Sequence, residues 1–423
     1  MCSCVRVPNP HEGLAPGPWR GLLYISQFQD LIVTEGRNKV VTRDIDFESK
    51  STVIPFLFEL GHTSDGKAKL TVINGSERIE FTDVFTGRDL RTGEDTFYIS
   101  LNPYDACLKG IYENDKMQGH WMVLDKPGYA MPFEARFGLN HRFKQKLNDE
   151  EVTDVSGHYQ TVFNKDSADS FNAIGEFEQQ KDKVTGTFRT ESGDFRFLEG
   201  QVVGGKLFLS CFDGAHAFLF TAEIFSDSLA GKFYSGNHYQ ASWKGRKVMQ
   251  GFLKNPDSLS FVQNDEEFHF GFETPDGKMI NFQEEPYRGK LKLVQIMGSW
   301  CPNCMDEALF LKEQYSELLN DSIILVGLSF ERHKEKSKAM ERILQYKDKL
   351  QLPYDIAWGG PANRDSASRK IPQITHIMAY PSLLFIDRKN KIVKVHTGFD
   401  GPATTKYMEY QNQFKKNIQE LKQ

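Results

Sequence analysis

The sequence has 423 residues, more than a single ordinary core accommodates, and this length predicts two or three domains. Apolar residues make up 39% and charged residues 26%, a composition typical of a folded globular protein rather than a disordered one. The formal net charge of −5, without blocks of like charge, argues against a nucleic-acid partner. No run of about 18 apolar residues predicts a membrane-spanning helix.

The N-terminal half reads as short β-strands from about residue 19 to residue 247. Apolar and polar residues alternate there, and Asp-Gly, Asn-Gly and Gly-Gly pairs separate the runs. A weak internal repeat with a lag of about 115 residues indicates two similar units. We therefore predict an N-terminal tail at 1–18, a first β-rich unit at 19–147 and a second at 154–250, with a polar, acidic joint between the units.

The pattern changes after Phe268, where two short apolar runs flank a Thr-Pro-Asp-Gly turn and predict a hairpin. A buried strand follows at 290–297, and helical spacing of apolar residues follows that strand. From residue 290 onward the predicted order is β-α-β-α-β-β-α. The fold class expected for the whole chain is α+β multidomain, with an α/β domain at 258–423.

The chemistry centres on residues 300–304, Trp-Cys-Pro-Asn-Cys, which lie where a strand passes into a helix. The first sulfur would then lie near unpaired backbone N–H groups and the positive end of the helix dipole, which favour a thiolate. Pro302 suits the first helical turn. We expect Cys301 to be an exposed nucleophile of low pKa that forms a mixed disulfide, and Cys304 to resolve it.

Two other roles are open to this cysteine pair. It could be a buried structural pair or half of a zinc site, but a tetrahedral zinc needs two more ligands and no second Cys-x-x-Cys or His-x-His cluster exists. We therefore expect no metal and no cofactor other than a redox-active Cys301–Cys304 disulfide.

At residues 260–423 the sequence resembles the TlpA/ResA-like thiol-disulfide oxidoreductases of the thioredoxin superfamily. The resemblance rests on the Trp-Cys-Pro-x-Cys motif after a strand, on Tyr380-Pro381 before a later strand, and on the His-Thr-Gly-Phe run at 396–399. It implies a thioredoxin-like fold and disulfide reductase activity. It also implies that Pro381 is cis and packs beside the disulfide, where the alternative is an ordinary trans proline at the start of a strand. Tyr380 then either flanks a substrate groove or merely packs, and we expect Trp300 and Pro302 to line the same groove.

Glu307 lies one helical turn beyond Cys304, so it could move protons between the sulfurs and water. ResA-like members carry a glutamate at this offset, although they usually have a proline shortly after it, where this chain has Ala308-Leu309. The alternative is an ordinary solvated helix charge. Trp300 similarly either shields the disulfide or packs as an ordinary aromatic residue.

The N-terminal region resembles the β-rich extension fused to some TlpA-like reductases. Within it, Cys107 and Cys211 either pair or stay as buried thiols, and the latter is favoured. The first residues lack a basic and apolar signal region, so the protein is either cytosolic or has lost a signal segment. The family resemblance favours the periplasm or cell envelope, with Cys2 or Cys4 as the candidate site of a lipid anchor. The expected partners are client protein disulfides and an upstream electron-donor protein.

Two other functions fit the same sequence. One is a thiol peroxidase of the AhpC/TSA type, although peroxiredoxins place one cysteine after a Thr-x-x pattern that is absent here. The other is a binding module in which the β-rich region captures a partner protein and the C-terminal domain only docks it.

Overall fold

A computed structural model describes residues 13–25, 52–143, 152–320 and 322–423. Cys2 and Cys4, and with them the expected lipid anchor, lie outside the described residues, as does most of the joint between the two β-rich units. Within the described ranges no helix is long and apolar enough to cross a membrane. The described residues are mostly strand, and four α-helices lie in the C-terminal region.

The first β-rich region forms a nine-stranded antiparallel, barrel-like sheet with the order β4-β3-β2-β1-β9-β8-β7-β6-β5. Its strands are β1 Gly17–Tyr24, β2 Val53–His62, β3 Ala68–Asn74, β4 Glu77–Phe81, β5 Asp83–Arg88, β6 Asp95–Ser100, β7 Ala106–Glu113, β8 Lys116–Val123 and β9 Ala130–Phe137. Alternate residues point inward, and Trp19, Phe56 and Phe58 are fully buried on the inner face. This alternation is the signal by which the sequence predicted strands.

The second β-rich region closes into a ring of eight antiparallel strands, because β11 pairs with both β10 and β12. Its strands are β10 Gly157–Phe163, β11 Phe171–Gln180, β12 Lys183–Thr190, β13 Gly193–Asp194, β14 Leu198–Val203, β15 Lys206–Phe212, β16 Ala217–Ile224, β17 Ser228–Ser235 and β18 Tyr239–Val248. Buried aromatic rings fill the barrel, among them Phe163, Phe188 and Trp243. The two-residue strand β13 lies outside the ring, paired only with β12.

The two sheets pack against each other. The rings of Phe56 and Phe212 pack at a tilt with centroids 4.3 Å apart, and Asn74 Nδ2 donates to the Phe212 carbonyl at 2.9 Å. In each sheet the first strand lies between the second strand and the last one. Only the second sheet closes, however, so the internal repeat and the domain boundaries stay predictions.

The C-terminal region is built on a five-stranded sheet with the order β23-β22-β21-β24-β25. Its elements are β19 Gly271–Glu273, β20 Met279–Asn281, β21 Leu291–Met297, α1 Pro302–Asn320, β22 Ile323–Glu331, α2 Lys336–Leu350, β23 Asp355–Pro361, α3 Arg364–Lys370, β24 Ser382–Ile386, β25 Ile392–Thr397 and α4 Tyr407–Lys422. The strands β21, β22 and β23 are parallel, whereas β24 and β25 run antiparallel to their neighbours. The predicted hairpin is confirmed as β19–β20.

The predicted order from residue 290 onward was wrong in one respect, since it omitted strand β23 and helix α3. Strand β23 contains Gly359 and Gly360 and ends at Pro361, residue types that are depleted in strands. Helix α3 has seven residues, and Ala367 is its one buried residue. Strand β23 and helix α3 are stabilised by packing on the sheet, and such long-range packing leaves no short-range pattern in the sequence.

Candidate redox-active site

The two cysteines of the motif lie at the junction of β21 and α1. Every residue of β21 is buried, as expected for a central strand with both faces covered, and α1 begins at Pro302. Cys301 and Cys304 are free thiols, and the backbone N–H of Cys304 donates to Cys301 Sγ at 3.3 Å. The first turn of the helix therefore presents a donor to the first sulfur and places the second sulfur one turn away.

Both sulfurs are more enclosed than the sequence suggested. Cys301 was expected to be exposed, but the residue is only 6% exposed, and Cys304 is fully buried. Burial, reinforced by the neighbouring Cys301 sulfur, raises the pKa of the Cys304 thiol well above its ordinary value. The resolving thiol therefore needs a base before it can attack.

A cis peptide bond between Tyr380 and Pro381 lies beside the dithiol, as the resemblance implied. The Cys301 thiol faces the Tyr380 carbonyl, with 3.6 Å between sulfur and oxygen. The Gly398 N–H in turn donates to the Pro381 carbonyl at 2.9 Å. Three loops, which carry Cys301, Pro381 and Gly398, thus meet around the first sulfur.

Trp300 closes one side of this junction. Its Nε1 donates to the Phe330 carbonyl at 2.9 Å, and its ring lies edge-on to Tyr380 with centroids 5.6 Å apart. The Arg332 guanidinium lies over the indole at 4.2 Å. The structure thus brings Trp300 and Tyr380 together beside the dithiol, with Pro302 in the loop between the cysteines, and the substrate-groove role of these three residues stays a prediction.

Glu307 is fully buried, which excludes the alternative of a solvated helix charge. Its carboxylate accepts a hydrogen bond from Gln295 Nε2 at 2.9 Å and one from the Tyr410 hydroxyl at 3.1 Å. Burial raises the pKa of Glu307 to about 7, although these hydrogen bonds oppose the rise. A carboxyl group that titrates near neutral pH can both accept and return a proton.

Gln295 connects this carboxylate to the dithiol. The same Nε2 that binds Glu307 also donates to the Cys304 carbonyl at 3.2 Å, and Gln295 Oε1 accepts from the Tyr354 hydroxyl at 3.3 Å. No motif in the sequence indicated a role at the dithiol for Gln295, Tyr354 or Tyr410.

A second group of residues that the sequence did not indicate comes from the N-terminal region. Arg196 of the second sheet is buried, and its Nη1 donates to the Pro302 carbonyl at 3.3 Å and to Asp306 of α1. Its other terminal nitrogen binds Glu77 of the first sheet. Burial opposes the charge of Arg196, yet Asp306 and Glu77 raise its pKa well above the ordinary value. One cation thus joins both sheets to the motif loop.

The remaining described cysteines, Cys107 on β7 and Cys211 on β15, are buried free thiols. Burial raises the pKa of both, which makes them poor nucleophiles. In the described part of the chain, the nucleophilic chemistry is therefore concentrated at residues 301 and 304.

A central β-α-β unit, a Cys-x-x-Cys motif at the start of its helix and a cis proline beside it make the C-terminal region thioredoxin-like. The sequence model of the AhpC/TSA family matches residues 269–395, which contain this unit. No curated protein matches the chain.

Two similar solved structures cover the same region. A thiol:disulfide interchange protein of the thioredoxin family from Chlorobium tepidum is 16% identical, and the match covers 38% of this chain and 100% of that one, with a TM-score of 0.29. A thiol-disulfide oxidoreductase from Bacteroides fragilis is 17% identical, with coverage of 34% and 99% and a TM-score of 0.26.

Proposed function

We propose that the protein is a thiol-disulfide oxidoreductase that reduces protein disulfides through Cys301 and Cys304. The observation that carries this proposal is the meeting of two free thiols, a backbone donor 3.3 Å from the first sulfur and the Tyr380 carbonyl 3.6 Å from the same sulfur. The match to the AhpC/TSA family over residues 269–395 supports it.

The reaction consists of two exchanges. The Cys301 thiolate attacks one sulfur of the client disulfide, that S–S bond breaks, and the other client sulfur leaves as a thiolate and takes up a proton. The Cys304 thiolate then attacks Cys301 in the mixed disulfide and releases the second client thiol. The client gains two electrons and the enzyme dithiol becomes a disulfide, which an upstream thiol donor must reduce again.

Glu307 is the base for the second exchange in this mechanism. The pKa of Cys304 is raised by burial, so its proton must be removed before it attacks, and the pKa of Glu307, about 7, suits it to accept that proton. Gln295 Nε2 binds both the Glu307 carboxylate and the Cys304 carbonyl, so it fixes the position of the carboxylate relative to the backbone of Cys304. Replacing Glu307 by Gln should slow decay of the mixed disulfide by about 10²-fold or more, the usual worth of general base catalysis.

The central experiment follows the reduction of insulin with dithiothreitol as the donor. Cys301→Ser should abolish turnover, and Cys304→Ala should accumulate a mixed disulfide through Cys301 that mass spectrometry detects. Cys107→Ala, at a thiol on β7, is the control and should retain activity. Turnover by Cys301→Ser equal to that of the unmodified protein would contradict the proposal.

The family match also favours a second candidate, a thiol peroxidase. In that reaction Cys301 attacks a peroxide oxygen, water or an alcohol leaves, and Cys304 condenses with the sulfenic acid to give the disulfide and a second water. Consumption of hydrogen peroxide by the reduced protein, measured beside insulin reduction, separates the two. A peroxide rate far above the disulfide rate would support the second candidate.

The proposal also covers where the protein works and whether it reduces or oxidises its client disulfides. We place the protein in the periplasm or cell envelope, held by a lipid on Cys2 or Cys4, because TlpA/ResA-like reductases work there. Equilibration of the dithiol in glutathione or dithiothreitol buffers tests the direction. A potential near −270 mV, about that of thioredoxin, supports a reductant, whereas one near −120 mV identifies an oxidant.

A further inference from the structure

The hairpin tip that joins β12 to β13 in the second sheet lies against the loops around Cys301. The Asn303 side chain, between the two cysteines, donates to the Asp194 carbonyl at 3.3 Å. A Cβ atom on Gly398 would lie 2.8 Å from the carbonyl carbon of Ser192, so the two backbones are in direct contact. This tip therefore occupies space beside two of the three loops that surround the nucleophile.

Hydrogen bonds on both sides fix this tip. One carboxylate oxygen of Asp194 accepts from the Gly401 N–H at 3.1 Å, and the other accepts from the Arg196 N–H at 2.7 Å. Arg196 in turn binds the Pro302 carbonyl and Asp306. Because the contacts to Gly401, Pro302 and Asp306 cross between the second sheet and the C-terminal region, the tip cannot move away without breaking several polar interactions.

Loops of the first sheet contact the C-terminal region next to Trp300. Arg332, which covers the Trp300 ring, is paired with Asp125 at 3.3 Å, and the Asp125 side chain is only 4% exposed. His333 lies beside Asp105 with 2.7 Å between Nε2 and the carboxylate. Elements of both N-terminal sheets thus contact residues that neighbour the nucleophile, which is itself only 6% exposed.

From this enclosure we infer that the two N-terminal sheets determine substrate choice, and that they admit disulfides carried on a narrow, extended peptide segment while excluding those on a folded surface. This inference rests on the proposed function. Attack requires the client sulfur to reach Cys301 Sγ, and a broad surface meets the Ser192 tip and the Arg332–Asp125 pair first. Steric exclusion of a wrong partner is an established route to specificity.

Two probes test this restriction on the full-length reduced protein. One is a linear peptide whose single cysteine carries glutathione in a mixed disulfide, and the other is native insulin. Each rate is divided by the rate of the same probe with free dithiothreitol, so that the intrinsic reactivity of the disulfide cancels. We expect the normalised rate for the peptide to exceed that for insulin by about tenfold or more.

Loosening the contacts of either sheet should reduce this ratio. Asp194→Ala removes the bonds that fix the hairpin tip, and Asp125→Ala releases Arg332 next to Trp300. Each should lower the peptide-to-insulin ratio about fivefold, whereas Glu178→Ala, on an exposed position of the same barrel, should leave it unchanged. Circular dichroism identifies a variant that fails to fold. Because the two substitutions lie in different sheets, each variant tests the rate ratio independently of the other.

The outcomes separate the inference from the function on which it rests. Equal normalised rates for the two probes in the unmodified protein, or an unaltered ratio in both folded variants, would overturn the size restriction alone. Reduction of neither probe would overturn the proposed function itself.

Discussion

A single buried carboxyl group and a pair of largely buried carboxylates lie near the dithiol, and they differ in the groups that bind them. Glu307 is bound by an amide and a phenol, both uncharged, and burial raises its pKa to about 7. In the cluster at the domain interface, Glu77 and Asp306 share the buried guanidinium of Arg196. The first arrangement leaves a carboxyl group that exchanges its proton near neutral pH. The second contains the permanent positive charge of Arg196, which joins the N-terminal sheets to the motif loop.

The difference shows how one kind of side chain serves two purposes. The Arg196 guanidinium stays charged over the accessible pH range, whereas burial raises the pKa of its partner Asp306 to about 6. Above that pH the pair is fully charged and anchors the N-terminal sheets to the motif loop. A buried carboxyl group with only neutral donors has no such fixed state. Substitutions that remove the cation, the carboxyl group or a neutral donor should therefore have effects of different size and different pH dependence.

Removal of the cation should have the largest effect. Arg196→Met would leave the side chains of Glu77 and Asp306, only 11% and 13% exposed, without their partner. Breaking a buried pair in this way costs about 3–5 kcal/mol. Denaturant unfolding at pH 7 measures the loss. Arg246→Met, at an exposed ion pair with Asp227, is the matched control and should cost about 1 kcal/mol or less. A loss at Arg196 no larger than that of the control would show that the interface does not depend on this cation.

The same contrast explains which parts of the site the sequence could predict. The cysteines lie within one short motif, and Pro381 and Glu307 stand at positions that the family resemblance marks. Arg196 and Asp306 are 110 residues apart, and their contact depends on how a barrel docks onto a helix. Short-range patterns carry no information on such docking, so they revealed the chemistry of the dithiol but neither its enclosure nor its anchoring.

The fold also has a part that the sequence could predict, the individual strands, and a part that it could not, the closure of a sheet. Alternation predicted the N-terminal strands, and apolar runs predicted the central strands of the C-terminal sheet, because burial of these faces repeats along the chain. Closure of the second sheet depends on pairing between β11 and β12 and between β10 and β18. Pairing between the first and last strands of a region is long-range, so an internal repeat in sequence does not establish it.

Removal of the Glu307 carboxyl group should change the pH dependence of the free energy of unfolding. Below pH 4.5 Glu307 is protonated in both the folded and the unfolded chain, so it has no effect. Between pH 4.5 and about 7 the unfolded chain releases this proton first, so the folded state loses stability as pH rises. At about 1.4 kcal/mol per pKa unit, the accumulated loss above pH 7 is about 3 kcal/mol.

Glu307→Gln removes this loss, since an amide of the same shape can still accept from Gln295 and face the Tyr410 hydroxyl. The variant should be more stable than the unmodified protein at pH 8, by up to about 3 kcal/mol, and equal to it near pH 4. Denaturant unfolding between pH 4 and pH 8 provides the comparison, with the exposed Glu178→Gln as control. A variant that is less stable at pH 8 would mean that Glu307 is held as a stabilised carboxylate, contrary to this prediction.

Removal of one neutral donor should have the smallest effect and the most specific one. Tyr410→Phe deletes a hydrogen bond to Glu307 and should cost about 1 kcal/mol at pH 5, and more at pH 8, where the bond is charge-assisted. Because that bond stabilises the carboxylate more than the acid, its loss should raise the pKa of Glu307 above about 7. A carbon-13 NMR titration of the glutamate carboxyl measures this directly.

Tyr354→Phe is the matched control for this titration. Its hydroxyl binds Gln295 Oε1 rather than Glu307, so its loss should leave the Glu307 titration close to that of the unmodified protein. Equal shifts in the two variants would mean that the carboxyl group responds to the network as a whole. A shift confined to Tyr410→Phe would show that two neutral donors, without a fixed cation, keep this buried carboxyl group poised near neutral pH.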